Sequence, residues 1–378
     1  MNKIYLDNAA TTPILPEVIE VISKSMTELI GNPSSSHEFG RKAKSQVEKA
    51  RKNIAKQFNA QANEIFFTAG GSEADNLILQ NAVTNLGVET IISSKIEHHA
   101  VLHTIKQLEK EFNTQVHWVE LDDKGGIDLK NLEKLLINTT GKKLVSLMYI
   151  NNEVGTILDI DAVCKLCLKY NSLFHSDTVQ GVGHFDMDIR KTPIDFFVAS
   201  AHKFHGPKGV GFAYIKNGFG VAPILYGGSQ ERGARAGTEN VHSILGMEKA
   251  LEIACLNMES EAKSIQEVKT YLVDQFIENF EGISFNGYSA DPLKSSYIIL
   301  NVRFPQELGM LLFQLDIQGI AVSGGSACQS GSNAGSHVLN GFLPNAEMTK
   351  TSIRFSFCKH NTKEEIDQLI STLKNILH

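Results

Sequence analysis

The feature that most constrains this chain is a series of short apolar runs, each ending in a polar, chemistry-bearing stretch. Runs at 64–68, 89–93, 144–150, 172–176, 195–199 and 210–215 are too short for helices and are rich in β-branched and aromatic residues. Helical periodicity fills the intervals at 77–83, 128–136 and 161–170. Strands alternating with helices predict an α/β fold with a mainly parallel sheet. Open sheets of this kind place ligands beyond the carboxyl ends of their strands, so the residues after each run are where a site is expected.

The chain has 378 residues, more than one core usually supports. After a long helical stretch at 247–280 the pattern starts afresh, with strands expected at 283–285, 296–302 and 320–323 and helices at 306–315 and 363–377. Two lobes are therefore expected: a large domain of residues 16–255 and a smaller α+β domain made of residues 1–15 and 256–378. A net charge of −6 with no basic block argues against direct nucleic-acid binding. No run of 18 apolar residues or signal-peptide core occurs, so a cytoplasmic protein with no membrane partner is expected. Five cysteines suit free thiols rather than a disulfide framework. Cys164 and Cys167 lie in an amphipathic helical pattern and read as core, as does Cys358. His99 and His103 have a helical i,i+4 spacing but lack a third ligand, so no metal is expected.

Residues 200–209, Ser-Ala-His-Lys-Phe-His-Gly-Pro-Lys-Gly, join two of the apolar runs. An amine desolvated at a strand end loses its charge and becomes a nucleophile toward an aldehyde, which is the Schiff-base role; a solvated loop lysine is the alternative for Lys203. Gly70, Gly71 and Ser72 open a helix and could cradle phosphate, with Ser72 as its cap, or form an ordinary capped helix. The flat imidazole of His98 could stack on a planar ring. Asp177, after another run, could hold a pyridinium nitrogen protonated or could cap a helix. The polar segment 227–240 is basic enough for anion contacts. Segment 323–336 is mostly Gly, Ser and Ala around Cys328, a composition that marks a functional loop with a thiol able to swing toward a substrate. Arg354 stands in an apolar run, where a guanidinium needs a carboxylate, either a substrate's or an internal one.

Taken together, segments 5–12 (Tyr-Leu-Asp-Asn-Ala-Ala-Thr-Thr), 31–35 (Gly-Asn-Pro-Ser-Ser), 68–76, 97–98, 151–155, 177–180, 200–209, 230–238 and 323–332 have a specific order. In them the chain resembles, almost from end to end, the NifS/IscS group of cysteine desulfurases within the class V aminotransferases. The resemblance implies a fold-type I, pyridoxal 5'-phosphate-dependent transferase, usually a homodimer, that takes sulfur from L-cysteine and leaves L-alanine. It implies that Lys203 holds the cofactor and moves protons, that His98 stacks on its ring and that Asp177 faces the ring nitrogen. Asn152 and Gln180 would contact the ring hydroxyl side. Gly71, Ser72, Ser200 and His202 would bind the phosphate, with Thr238 reaching it from the other subunit. Arg354, helped by Asn32, would take the substrate carboxylate. Cys328 would collect the sulfur as a persulfide for an acceptor, such as an iron–sulfur scaffold or a thio-cofactor or tRNA thiolation system. A selenocysteine lyase is the nearest alternative, but its Arg-x-Gly-His-x-Cys segment is absent around Cys328. A small-substrate aminotransferase would need no loop thiol. A catalytically silent sulfur carrier would not need Lys203, Asp177 and His98.

Overall fold

The computed structural model describes residues 3–324 and 335–377. A first strand, β1 (Ile4–Tyr5), leads through α1 (Pro16–Glu28) and α2 (Glu38–Gln57) into the alternating part of the chain. There β2 (Ile65–Thr68), α3 (Gly71–Thr84), β3 (Thr90–Ser93), α4 (His99–Phe112) and β4 (Gln115–Trp118) come first. They are followed by α5 (Leu129–Asn138), β5 (Lys143–Ser146), α6 (Ile160–Lys169), β6 (Leu173–Asp177), β7 (Phe196–Ser200) and β8 (Gly211–Ile215). The long α7 (Val241–Asn279) then connects to β9 (Ser284–Phe285), β10 (Ile299–Arg303), α8 (Leu311–Ile317) and β11 (Ile320–Ala321). The chain finishes with α9 (His337–Asn340), α10 (Asn345–Met348), β12 (Ser352–Ser356) and α11 (Lys363–Leu377).

The central sheet has seven strands in the order β2-β8-β7-β6-β5-β3-β4, and β8 alone runs against the others. Both faces are covered, which is why its strands read as continuous apolar runs rather than alternating ones. Along β7, Phe197 and Ala199 enter one core with α2 and the first half of α7, while Phe196 and Val198 enter another with α3 and α4. A third core gathers Ile4 and Leu6 with β10, β12, α11 and the second half of α7, where Ile265, Val268, Leu272 and Phe276 point into it. One helix thus serves two cores, changing allegiance between Ala254 and Ile265. Among the described residues no helix is long and apolar enough to cross a membrane.

Among the element ends that differ from the sequence-based expectation, three have a clear local cause. Helix α3 begins at Gly71, a turn and a half before position 77, because Ala74 N–H bonds the Gly70 carbonyl and Glu73 reaches back to Ala69 N–H. Strand β5 stops at Ser146, although Leu147 and Tyr149 still donate to His175 and Asp177 carbonyls. Helix α8 begins at Leu311 rather than 306, because Phe304, Gln306 and Leu308 are tied to Thr351 through its carbonyl, amide and hydroxyl.

Candidate active site

A cavity of about 250 Å³ opens at the carboxyl ends of β2, β5, β6 and β7 and beside the turn that follows β3. Its walls bring together Gly71, Ser72, His98, Asn152, Asp177, Gln180, Ser200, His202, Lys203 and Arg354, with Ala9, Ala10, Asp75, Met148, Ile150 and Val179.

Lys203 sits in the hairpin loop between the antiparallel β7 and β8, whose last pair is Ser200 with Gly211. The N-terminal segment clamps this loop. Lys203 Nζ donates to the carbonyls of Ala9 (2.6 Å) and Ala10 (2.9 Å). Thr12 donates from both its amide and its hydroxyl to the His202 carbonyl, and its hydroxyl accepts from His205 N–H at 2.7 Å. His202 Nδ1 lies 3.2 Å from Thr11 Oγ1, and burial pushes its pKa down to about 4. Residues 8–10 form a turn in which Ala10 N–H bonds the Asp7 carbonyl at 3.0 Å, and their part in fixing the lysine was not visible in the sequence.

Gly70 adopts φ 152°, ψ −176°, a conformation open essentially to glycine alone, and Gly71 starts α3. A Cβ on Gly71 would come within 2.7 Å of Val179 Cγ2, so the backbone can approach a ligand here only without a side chain. Ser72 is the second helical residue and not the cap: Gly70 takes that place, and no side chain caps it. The free N–H groups of this helix end face the cavity with Ser72 and Ser200, a geometry suited to an anion.

Across the cavity, His98 caps α4 by accepting the Ala100 N–H on Nδ1. Burial lowers its pKa, against the opposing pull of Asp177. Asp177 ends β6 and accepts from Val179 N–H at 3.0 Å. Gln180 donates to the Ala9 carbonyl at 2.9 Å. Asn152 is set by its neighbour Asn151, whose side chain bonds the Ile96 carbonyl and accepts from Glu153 and Val154 N–H. Glu97, the residue before His98, is buried; it accepts from the Ser94 hydroxyl and from Met148 N–H while burial pushes its pKa up to about 8.

Arg354, 1 % exposed on β12, donates to the Asn152 carbonyl at 2.7 Å and to Asp7 Oδ1 at 2.9 Å. The internal carboxylate foreseen as the alternative partner is therefore present, yet the guanidinium also lines the cavity. Its Nε, and Oδ1 of Asn152, are buried without a hydrogen-bond partner among the described residues.

Asn32 and Thr238 are exposed and do not line this cavity in the single chain. Asn32 Oδ1 accepts from Ser34 N–H, and Thr238 borders a separate hollow beside Arg235 and Glu239. Cys328 lies outside the described residues. In 227–240, read as basic enough for anion contacts, both arginines have partners within the chain: Arg235 is paired with Glu73 at 2.8 Å, and Arg232 donates to the carbonyls of Ala62 and Asn63. Cys164, Cys167 and Cys358 are buried, and burial raises the thiol pKa of all three, to about 12 for Cys164 and about 11 for Cys358. Sequence reasoning missed Asp7 and Asp75; an acid one turn beyond Gly71 in an otherwise apolar helix face was the signal for the second.

A family model described as aminotransferase class-V matches residues 4–369. A Clostridium botulinum (strain Hall) protein described as cysteine desulfurase IscS is 42 % identical over 383 residues, covering 100 % of this chain and 95 % of that protein. A solved structure described as a NifS-like protein is 36 % identical with a TM-score of 0.91, covering 100 % of this chain and 99 % of that one. Another, described as SspA in complex with cysteine, is 28 % identical with a TM-score of 0.81, covering 96 % and 100 %. The seven-stranded mixed sheet with helices on both faces is the fold-type I architecture of these structures. With the match running through nearly the whole chain, the protein belongs to the aminotransferase class-V family.

Proposed function

We propose that this chain is a pyridoxal 5'-phosphate-dependent cysteine desulfurase that converts L-cysteine to L-alanine and keeps the sulfur as a persulfide on Cys328. The observation that carries the reading is the convergence of Lys203, Asp177, His98, Arg354 and the Gly71–Ser72 helix start on one cavity. The residues fit the cofactor. The close approach at Gly71, the orphaned Asn152 Oδ1 and the carboxylate of Asp177 are what a phosphate, a ring hydroxyl and a ring nitrogen require. Gly71, Ser72, Ser200 and His202 would hold the phosphate, His98 the ring face, Asn152 and Gln180 the hydroxyl side and Asp177 the nitrogen. When bound, pyridoxal phosphate would supply the electron withdrawal that makes the substrate's C–S bond breakable.

The side chains do the rest. Arg354 pairs with the substrate carboxylate and fixes its orientation. Lys203 Nζ takes the proton from the substrate Cα, delivers to Cβ a proton that the two thiols release as the persulfide forms, and returns a proton to Cα. The Cys328 thiolate forms an S–S bond to the substrate sulfur as the C–S bond breaks, the carbon keeping that electron pair and gaining the proton that completes the methyl group of alanine. Cysteine plus the Cys328 thiol thus gives alanine plus the persulfide, which would pass to a sulfur-acceptor protein such as an iron–sulfur scaffold.

We extend the proposal to a homodimer. Asn32 and Thr238 lie outside the cavity of their own chain, and Ile30, Phe39 and Tyr226, at 74 %, 57 % and 86 % exposure, lie on the same segments or near them in the sequence. Alanine and sulfide assays test the function. Lys203→Ala should release neither product, and Cys328→Ser should bind the cofactor yet yield no sulfide. Full sulfide release by Cys328→Ser would sink the desulfurase reading in favour of chemistry that needs no thiol.

A further inference from the structure

Behind Asp177 lies a second buried carboxyl that the reaction does not use. Asp75 on α3 is 1 % exposed, borders the cavity, and has no hydrogen bond to either oxygen among the described residues. One polar atom approaches it closely: Nε2 of the fully buried His175, at 3.3 Å from Oδ1. The other ring nitrogen of His175 is 2.9 Å from Ser146 Oγ. Ligand atoms of Asp75, His98 and Asp177 all lie within 4.8 Å of one another.

Two carboxylates this close and this deeply buried do not both ionise readily. Asp177 has the Val179 N–H to stabilise its charge, whereas among the described residues the polar atom nearest Asp75 is Nε2 of His175. Resting on the pyridoxal phosphate reading above, we propose that Asp75 is a positioning residue, held in its acid form and donating to His175 Nε2, so that the negative charge facing the ring nitrogen belongs to Asp177. The proton chain is then Asp75 O–H to His175 Nε2 and His175 Nδ1–H to Ser146 Oγ. The other groups facing Asp75 are Glu97 and His98 from the β3–α4 turn and Lys203 from the hairpin loop. The direction of both perturbations agrees: burial, then Asp177 and Glu97, push the Asp75 carboxyl well above the usual range, and burial pushes the His175 imidazole down to about 3.

Infrared difference spectra of the cofactor-free protein, wild type against Asp75→Asn, read the proton directly, with Glu97→Gln removing the other carboxyl whose pKa burial raises. The expected result is a protonated-carboxyl band from Asp75 at pH 8 that shifts in His175→Gln. In protein loaded with pyridoxal phosphate, Asp75→Ala should speed cofactor loss about tenfold and move the pH midpoint of the visible band. Asp75→Asn, whose amide can donate to His175 as the acid does, should restore most of both. A carboxylate band at pH 8, or an Asn variant no better than Ala, overturns the inference. Wild-type protein that takes up no pyridoxal phosphate overturns the reading beneath it, and the infrared comparison, which needs no cofactor, tells the two failures apart.

Discussion

Replacing Glu231 by Gln leaves the buried Arg51 guanidinium with only the half-exposed Glu48, 3.1 Å away, as counter-ion, and it should be the costliest single change outside the cavity. Glu231 and Arg51 of α2 meet side by side, Nη1 to Oε2 at 2.7 Å and Nη2 to Oε1 at 2.8 Å, with side chains only 2 % and 3 % exposed. The carboxylate also accepts from Phe67 N–H at 2.9 Å, and the guanidinium lies 4.4 Å from the centre of the Phe67 ring. The pair holds Glu231 and Arg232 in left-handed backbone, φ 44° and 57°, which costs about 1–3 kcal/mol each without such support. Breaking one side of a buried pair typically costs about 3–5 kcal/mol, whereas removing both sides can be nearly neutral. Gln keeps the shape and the Phe67 bond, so about 3 kcal/mol is expected for Glu231→Gln, and Arg51→Met with Glu231→Leu should recover most of it. Urea unfolding followed by far-ultraviolet circular dichroism and by the single tryptophan, Trp118, measures the cycle. Because the 230–238 segment hangs on this pair, the Gln variant should also hold pyridoxal phosphate less tightly. A loss below about 1 kcal/mol, or a double variant as unstable as the sum of the singles, would refute the reasoning.

Three further outcomes are expected. His202 and His205 have pKa values lowered by burial to about 4, so the folded protein resists protons that the unfolded chain accepts from about pH 6.5 downward. Stability is therefore full above pH 6.5 and falls toward pH 4, by about 1–3 kcal/mol for each histidine after allowance for partial exposure, and His205→Asn should flatten the slope of urea midpoint against pH. Gly71→Ala, whose methyl would sit 2.7 Å from Val179 Cγ2, should cost about 1–3 kcal/mol and cofactor retention, and Val179→Ala should relieve both in thermal melts. Asp7→Asn removes the charge facing the 2 %-exposed Arg354 side chain and should destabilise the ligand-free protein by about 3 kcal/mol. Added L-cysteine or L-alanine, bringing a carboxylate, should then raise the melting temperature more than in the wild type, and an equal rise in both would contradict the pairing.

The parts of the site that were legible in the sequence are those where one residue type does the chemistry at the end of one strand. Lys203, Asp177, His98 and the Gly70-Gly71 turn each follow an apolar run, and the parallel sheet brings those ends to one edge. The clamp on Lys203 was not legible, because it is made by the carbonyls of Ala9 and Ala10, and every residue carries a carbonyl. The partners of Arg232 and Arg235 were not legible for a related reason: a polar stretch has the same composition whether its cations face solvent or are held by Glu73 and by the Asn63 carbonyl. Asp75 and Arg354 are intermediate cases. A lone charge in an apolar pattern announces that a partner exists, but the partner lies 100 residues away at His175 in one case and 347 at Asp7 in the other, and only the packed chain supplies that pairing. It follows that the catalytic groups here are specified locally, while the groups that set their charge and position are specified by topology. Variants of the second kind, such as Asp7→Asn and Asp75→Asn, should therefore show their effects in pH profiles, cofactor retention and ligand-induced stability before they show them as loss of the reaction itself.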